Sequence, residues 1–206
     1  MMEVSVYAIR TDTVRQLDLS ALGKAMPERA ARARRYRFEK DRLLCLGAGF
    51  LLLEGLGIRN EAELRYGGNG KPYAPGYPAF NLSHSGAWCV LAKGGEDGRI
   101  GIDIEEINGK HIDVAPQVYT GDELAWMQAD PVKRFFRLWT WKESVMKATG
   151  LGMSLEPRTF EVLPFAEGKE IRILGRHWYA QGGEWDNCMF SVCSDSPVGQ
   201  IRRTVF

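Results

Sequence analysis

The sequence predicts a mixed α+β fold, and three observations carry that prediction. Short stretches of alternating or β-branched apolar residues recur from residues 4–8 to residues 201–205. Two segments, 27–57 and 132–148, carry helical patterning instead. The two kinds of element follow one another without the regular alternation that builds a doubly wound parallel sheet. With 206 residues, 45% of them hydrophobic and 26% charged, the chain can bury a core, which excludes disordered and collagen-like classes.

In chain order, Val4, Val6 and Ala8 alternate with other residues and open the chain as a strand. Pro27, tolerated in a first helical turn, starts a long helix that runs to Gly55 and Gly57. Its first half is basic and its second half apolar. Residues 67–79 are rich in Gly and Pro and read as a loop. Strands are expected at 79–84, 88–92 and 99–104, separated by turn residues. A helix is expected over 132–148, and short strands over 160–163, 171–174, 177–180, 188–193 and 201–205. No repeat and no low-complexity segment is visible.

The net charge is only +1, which argues against a general nucleic-acid coat or a polybasic membrane binder. The longest mostly apolar stretch, 43–53, is too short to span a bilayer, and the N-terminal residues have no apolar signal core. Cys45, Cys89, Cys188 and Cys193 form no zinc or redox spacing, so reduced, buried thiols in a cytoplasmic protein are expected.

Three features carry chemistry. Side chains alternate along a strand, so Ile100, Ile102 and Ile104 share one face while Gly101, Asp103 and Glu105 share the other. The two carboxylates stand about 6.5–7 Å apart at the backbone. They suit a hard divalent cation, Mg²⁺ or Mn²⁺; a wet acidic strand face is the alternative. On the 132–148 helix, Lys142 and Glu143 fall inside the apolar arc formed by Phe135, Phe136, Leu138, Trp139, Val145 and Met146. Buried charges need partners, and a third metal-directed carboxylate at Glu143 is one explanation. A Glu143–Lys147 pair one turn apart is the other. Finally, residues 27–42 carry a local charge of +4, with Arg29 and Arg32 one turn apart and able to hold one anion. Lys71 in the Gly-rich loop, with Ser83, His84 and Ser85 at a strand end, extends a candidate phosphate site.

These motifs occur in a specific order: Gly70-Lys71-Pro72-Tyr73, Phe80-Asn81-Leu82-Ser83-His84-Ser85, Gly101-Ile102-Asp103-Ile104-Glu105, and Trp139-x-x-Lys142-Glu143-Ser144-x-x-Lys147-x-x-Gly150. In that order they resemble the 4′-phosphopantetheinyl transferases of the surfactin-synthetase-activating type. The resemblance implies a pseudodimer of two similar α+β halves, 1–102 and 103–206, with the active site between them. The first half would contact the 3′-phosphate and pyrophosphate of coenzyme A, and the second would hold the metal site and catalytic helix. It implies Mg²⁺ on Asp103, Glu105 and Glu143; coenzyme A contacts from Arg29, Arg32, Lys71, Ser83, His84 and Asp103; and catalytic roles for Glu143 and Lys147. Glu123 falls near a family position proposed to act on a water. The partner implied is an apo acyl or peptidyl carrier protein, met by a monomer in the cytoplasm, with no nucleic acid and no membrane. A docking surface is expected within 111–127. The chain departs from the family at Leu44 and Cys45, where Arg and Thr are common. Competing readings are a metal-dependent phosphohydrolase or nucleotidyltransferase using the same carboxylates, and a nucleic-acid-binding module using the 27–42 helix.

Overall fold

The computed structural model describes residues 1–96, 98–165 and 169–206. The chain opens with strand β1 (Met2–Arg10) and helices α1 (Thr11–Gln16), α2 (Ser20–Ala25), α3 (Pro27–Arg35) and α4 (Glu39–Phe50), the last running into a π-helical turn at Leu51–Gly55. Strands β2 (Arg65–Tyr66), β3 (Pro72–Tyr73), β4 (Phe80–Ser85), β5 (Trp88–Lys93) and β6 (Ile100–Glu106) follow. Helices α5 (Ala115–Val118), α6 (Gly121–Met127) and α7 (Pro131–Thr149) then lead to β7 (Lys169–Ile173), β8 (Arg176–Trp185), β9 (Cys188–Ser194) and β10 (Val198–Val205).

The fold is mixed α and β, built on two four-stranded sheets of order β10-β1-β5-β4 and β6-β9-β8-β7. Only the β1–β10 pair in these sheets is parallel. Period-two alternation sorts the side chains into layers. Val4, Val6 and Ala8 of β1 face the Ile100, Ile102 and Ile104 face of β6 across a core between the sheets, joined by Phe190 and Val192. Ile9, Cys89 and Leu91 point the other way, onto α1, α2, α4 and Leu51–Leu52. The second sheet turns Met189 and Cys193 toward α7, whose Phe135, Leu138, Trp141, Val145 and Met146 fill a third core. Each fully buried Ile or Leu contributes about 1.5–3 kcal/mol.

The structure differs from expectation at several elements. The single helix expected over 27–57 is broken: Tyr36 and Phe38 are extended, and α3 folds back beside α4. An unbroken rod of that length would measure about 45 Å at 1.5 Å per residue. The nine-residue strand it must cover spans only about 30 Å. Folding back buries both Ala33 and the Leu43–Leu44 pair. Helices α1 and α2, six residues each, are too short to show periodicity. The strand expected over 160–163 is absent. Phe160 and Val162 are buried there, but their main-chain groups bond to side chains: Phe160 O accepts from Lys142 Nζ, and Val162 N donates to Glu123. The boundary expected between residues 102 and 103 falls within β6, and β10 carries the chain back to the first sheet. By hydrogen bonding, the second sheet comprises Ile100–Glu106 and Lys169–Ser194 strands, and the first sheet includes both chain ends. The four cysteines are free and buried. Among the described residues, no helix is long and apolar enough to cross a membrane.

Candidate active site

Asp103, Glu105, Glu143 and Lys147 meet where β6 packs against α7. The contact is close because Gly101 lies beneath the helix. A Cβ there would stand 2.1 Å from Ser144 O and 2.4 Å from Ala148 N. The acidic face of β6 is therefore covered by α7, and Asp103 is only 2% exposed. Its Oδ1 accepts from Lys147 Nζ at 2.6 Å and from Ser83 Oγ at 2.8 Å. Its Oδ2 is buried without a partner. Lys147 Nζ also donates to Ser83 Oγ at 3.0 Å. The Lys147 ammonium thus pairs with the strand carboxylate, and the Glu143–Lys147 pair considered from sequence is not among the ion pairs of the described residues.

Glu105 accepts from Ser85 Oγ at 2.7 Å. Burial, and then the charge of Asp103, pushes its carboxyl up to about 7. Glu143 is also raised, first by burial and then by Asp103, with Lys147 opposing the shift. The charge of Asp103 thus reaches both neighbours, and Glu105 and Glu143 each resist ionising beside it. Such a set of hard oxygen donors with one orphaned buried oxygen suits Mg²⁺ or Mn²⁺. Among the described residues, however, no group of three or more His, Cys, Asp or Glu side chains is arranged to hold a metal ion. Lys147 supplies the positive charge on Asp103 instead.

His84 stands at the rim of this cluster. Its imidazole is held below the ordinary range, first by partial desolvation of the ring and then by the charge of Lys147. Lys71 is held by main chain where β6 meets α7. Its Nζ donates to Ile100 O at 2.7 Å and Lys147 O at 2.6 Å, tying the start of β6 to the end of α7. Burial and the neighbouring charge of Arg99 lower this ammonium to about 8.

Arg29 and Arg32 form a second group on α3. Arg29 is only 6% exposed, and its Nε is buried without a partner. Desolvation lowers its guanidinium, and Arg32 repels it further. The side chain crosses α4 at Gly49, where a Cβ would stand 2.6 Å from Arg29 Cδ. The Glu61 carboxylate accepts from Glu28 N and Arg29 N and so holds the first turn of α3. Cys45 touches Arg29 O through its thiol, at the position where the family resemblance departs.

The partner that a buried Lys142 needs is Glu123. The two side chains are 0% exposed and 2.9 Å apart, and Lys142 Nζ also donates to Pro157 O and Phe160 O. Glu123 additionally caps α6 through Thr120, so it is a buried structural acid with no access to water. In the segment 111–127, Met127 is buried, and Val114, Val118, Leu124 and Trp126 are half-buried against the core. Sequence reasoning missed Asn81 as a site element, although polar residues at 81, 83 and 85 repeat with the strand period.

The family model for the 4′-phosphopantetheinyl transferase superfamily matches residues 99–193, which contain β6, α7 and the three carboxylates. The 4′-phosphopantetheinyl transferase psf-1 of Bacillus pumilus is 38% identical over 116 residues, covering 53% of this chain and 49% of that protein. The transferase gsp of Aneurinibacillus migulanus is 40% identical over 114 residues, covering 53% and 47%. The match therefore spans about half the length of these two relatives. The transferase Sfp of Bacillus subtilis (strain 168) is 30% identical over 155 residues, covering 69% of this chain and 68% of that protein. With that breadth of match and with the carboxylate strand and helix inside the matched region, the chain belongs to the 4′-phosphopantetheinyl transferase superfamily.

Proposed function

We propose that this chain transfers the 4′-phosphopantetheine arm of coenzyme A to a serine of an apo acyl or peptidyl carrier protein, releasing adenosine 3′,5′-bisphosphate. The observation that carries the reading is that Asp103, Glu105 and Glu143, from a strand and a helix, act on one another electrostatically beside the ammonium of Lys147. In this reading those three carboxylates hold Mg²⁺, or Mn²⁺. What the ion supplies when bound is neutralisation of charge on the diphosphate oxygens and a fixed geometry between them.

The chain's own residues do the rest. The serine oxygen forms a bond to the β-phosphorus of coenzyme A as the bond from that phosphorus to the bridging oxygen breaks. Glu143 takes the serine proton; a carboxyl raised above its ordinary range is better matched to that task at neutral pH. Lys147 stabilises charge on the departing phosphate, and His84 and Ser83 orient the pyrophosphate. Arg29 and Arg32 hold the 3′-phosphate, where an anion would relieve two guanidiniums that now repel each other. Lys71 meets the ligand with the third proton of its ammonium, the other two being held by carbonyls.

The same reading treats the chain as a pseudodimer whose halves meet at the site. What supports it is the pair of four-stranded sheets, each with helices on its outer face, and the facing edges at β4 and β6. A cytoplasmic monomer is part of the reading. The test is to mix the protein with coenzyme A, Mg²⁺ and a panel of apo carrier proteins, and to read the mass gain of the arm by mass spectrometry. Gain by one or more carriers, lost in a folded Asp103→Ala variant, is the expected result. No gain on any carrier, with coenzyme A hydrolysed instead, would favour a phosphohydrolase.

A further inference from the structure

β4 and β6 are the facing edge strands of two different sheets, and no main-chain ladder joins them among the described residues. They are joined by side chains. Asn81 Oδ1 accepts from Ile102 N at 2.9 Å, Ser83 Oγ from Ile104 N at 3.4 Å, and Ser85 Oγ from Glu106 N at 3.1 Å. The offset is 21 residues in all three cases. Steps of two on both strands with a constant offset mean that β4 and β6 run parallel.

The main-chain groups of a strand alternate sides, so the N–H groups of residues 102, 104 and 106 point away from β9. Ile102 and Ile104 are 0% exposed, and an unpaired N–H there would be costly. A main-chain ladder would satisfy these groups but would leave no acceptor-donor group between the strands. Serine does both tasks at once. Its oxygen accepts the N–H, and its single proton goes to a carboxylate: Ser83 to Asp103 at 2.8 Å and Ser85 to Glu105 at 2.7 Å. Each carboxylate is the residue just before the N–H that the same serine accepts. The strand junction and the orientation of the acidic pair are therefore set by the same hydroxyls.

We infer that Asn81, Ser83 and Ser85 form a side-chain ladder in place of strand pairing, and that Ser85 is a positioning residue which aims Glu105 into the site. Ser85 has one proton and it is committed; with it gone, Glu105 loses its only hydrogen-bond partner among the described residues. The positioning half of this inference rests on the proposed metal site, whereas the ladder half does not.

The experiment uses the full chain with two readouts. Amide hydrogen exchange by NMR, without metal or coenzyme A, reads the ladder. Ser85→Ala should speed exchange at Glu106 about tenfold and leave Ile102 unchanged. Asn81→Ala should do the reverse, and it serves as the ladder test if Ser85→Ala does not fold. Mn²⁺ binding by electron paramagnetic resonance, with coenzyme A and no carrier protein, reads the positioning. Ser85→Ala should weaken Mn²⁺ roughly 10- to 100-fold, the range for loss of an outer-shell partner, and Ser85→Thr should restore binding. Unchanged exchange at the paired amides would overturn the ladder. Faster exchange at Glu106 with unchanged Mn²⁺ affinity would overturn the positioning role. Wild-type protein that took up no Mn²⁺ would refute the metal reading and with it the positioning role, and exchange would still decide the ladder.

Discussion

Glu123→Ala removes one half of an ion pair that lies wholly inside the protein. Lys142 and Glu123 have no exposed side-chain surface, and Lys142 Nζ spends its three protons on Glu123, Pro157 O and Phe160 O. The ammonium also stands 4.6 Å from the centre of the Phe160 ring. Burial already pulls Lys142 below its ordinary value, and Glu123 is the group that opposes this. Breaking a buried pair by removing one partner costs about 3–5 kcal/mol. Val162 N, which donates to Glu123 at 3.0 Å, is orphaned as well, at about 1–3 kcal/mol. The expected loss is about 5 kcal/mol, near the upper end for a single substitution. At about 2–4 °C per kcal/mol for a chain of this size, Tm should fall by about 10–20 °C. Urea unfolding at neutral pH measures the loss directly. Lys142→Met should cost a similar amount, and the Glu123→Leu/Lys142→Met double variant should cost well under the sum. A loss below about 1 kcal/mol for Glu123→Ala is what an exposed pair would give, and it would refute the buried-pair account.

Further outcomes follow from the same geometry. Glu105 has its carboxyl raised from 4.5 to about 7 in the folded chain. Without metal, the stability this confers is full below the unfolded value and is lost as pH rises through the folded one. Glu105→Gln should therefore gain about 1–3 kcal/mol on wild type between acidic and mildly alkaline pH, read as urea midpoints in chelator; a pH-independent difference would contradict the shift. Replacing Arg29 and Arg32 together by Met should raise the KM for coenzyme A more than it changes kcat and narrow its preference over 3′-dephospho-coenzyme A, measured by steady-state kinetics. An unchanged preference would remove both arginines from the 3′-phosphate. Gly101→Ala drives a methyl into Ser144 O and Ala148 N, so it should separate β6 from α7, cost more than about 3 kcal/mol and abolish transfer; a folded, active variant would mean that strand and helix do not touch there.

Much of this was legible before folding because strand and helix periods are local. The alternation over 99–104 placed Ile100, Ile102 and Ile104 on one face and Asp103 with Glu105 on the other, and β6 has that division. The helical period put Lys142 and Glu143 inside an apolar arc; Lys142 is buried and Glu143 half-buried. Boundaries of β4, β5, β6 and α7 lie within two residues of expectation. The errors came where a local pattern has two uses. A basic run followed by an apolar run reads as one helix whether or not it folds back, and Phe160-Glu161-Val162-Leu163 alternates like a strand although no strand lies beside it.

What the sequence determined by itself is which faces are apolar, where carboxylates and cations stand on each element, and hence the family. Which charge meets which was decided only by tertiary structure. From the helix alone, Glu143 and Lys147 were natural partners, being four residues apart. In the fold, Lys147 goes to Asp103, 44 residues away, and Lys142 goes to Glu123 on α6. The reason is physical: a charge on a buried face must find a counter-charge or carbonyl wherever the packing brings one, and periodicity fixes only the direction in which a side chain leaves its element. The same holds for Ser83 and Ser85, whose spacing is visible in the chain but whose partners exist only once β6 lies alongside β4.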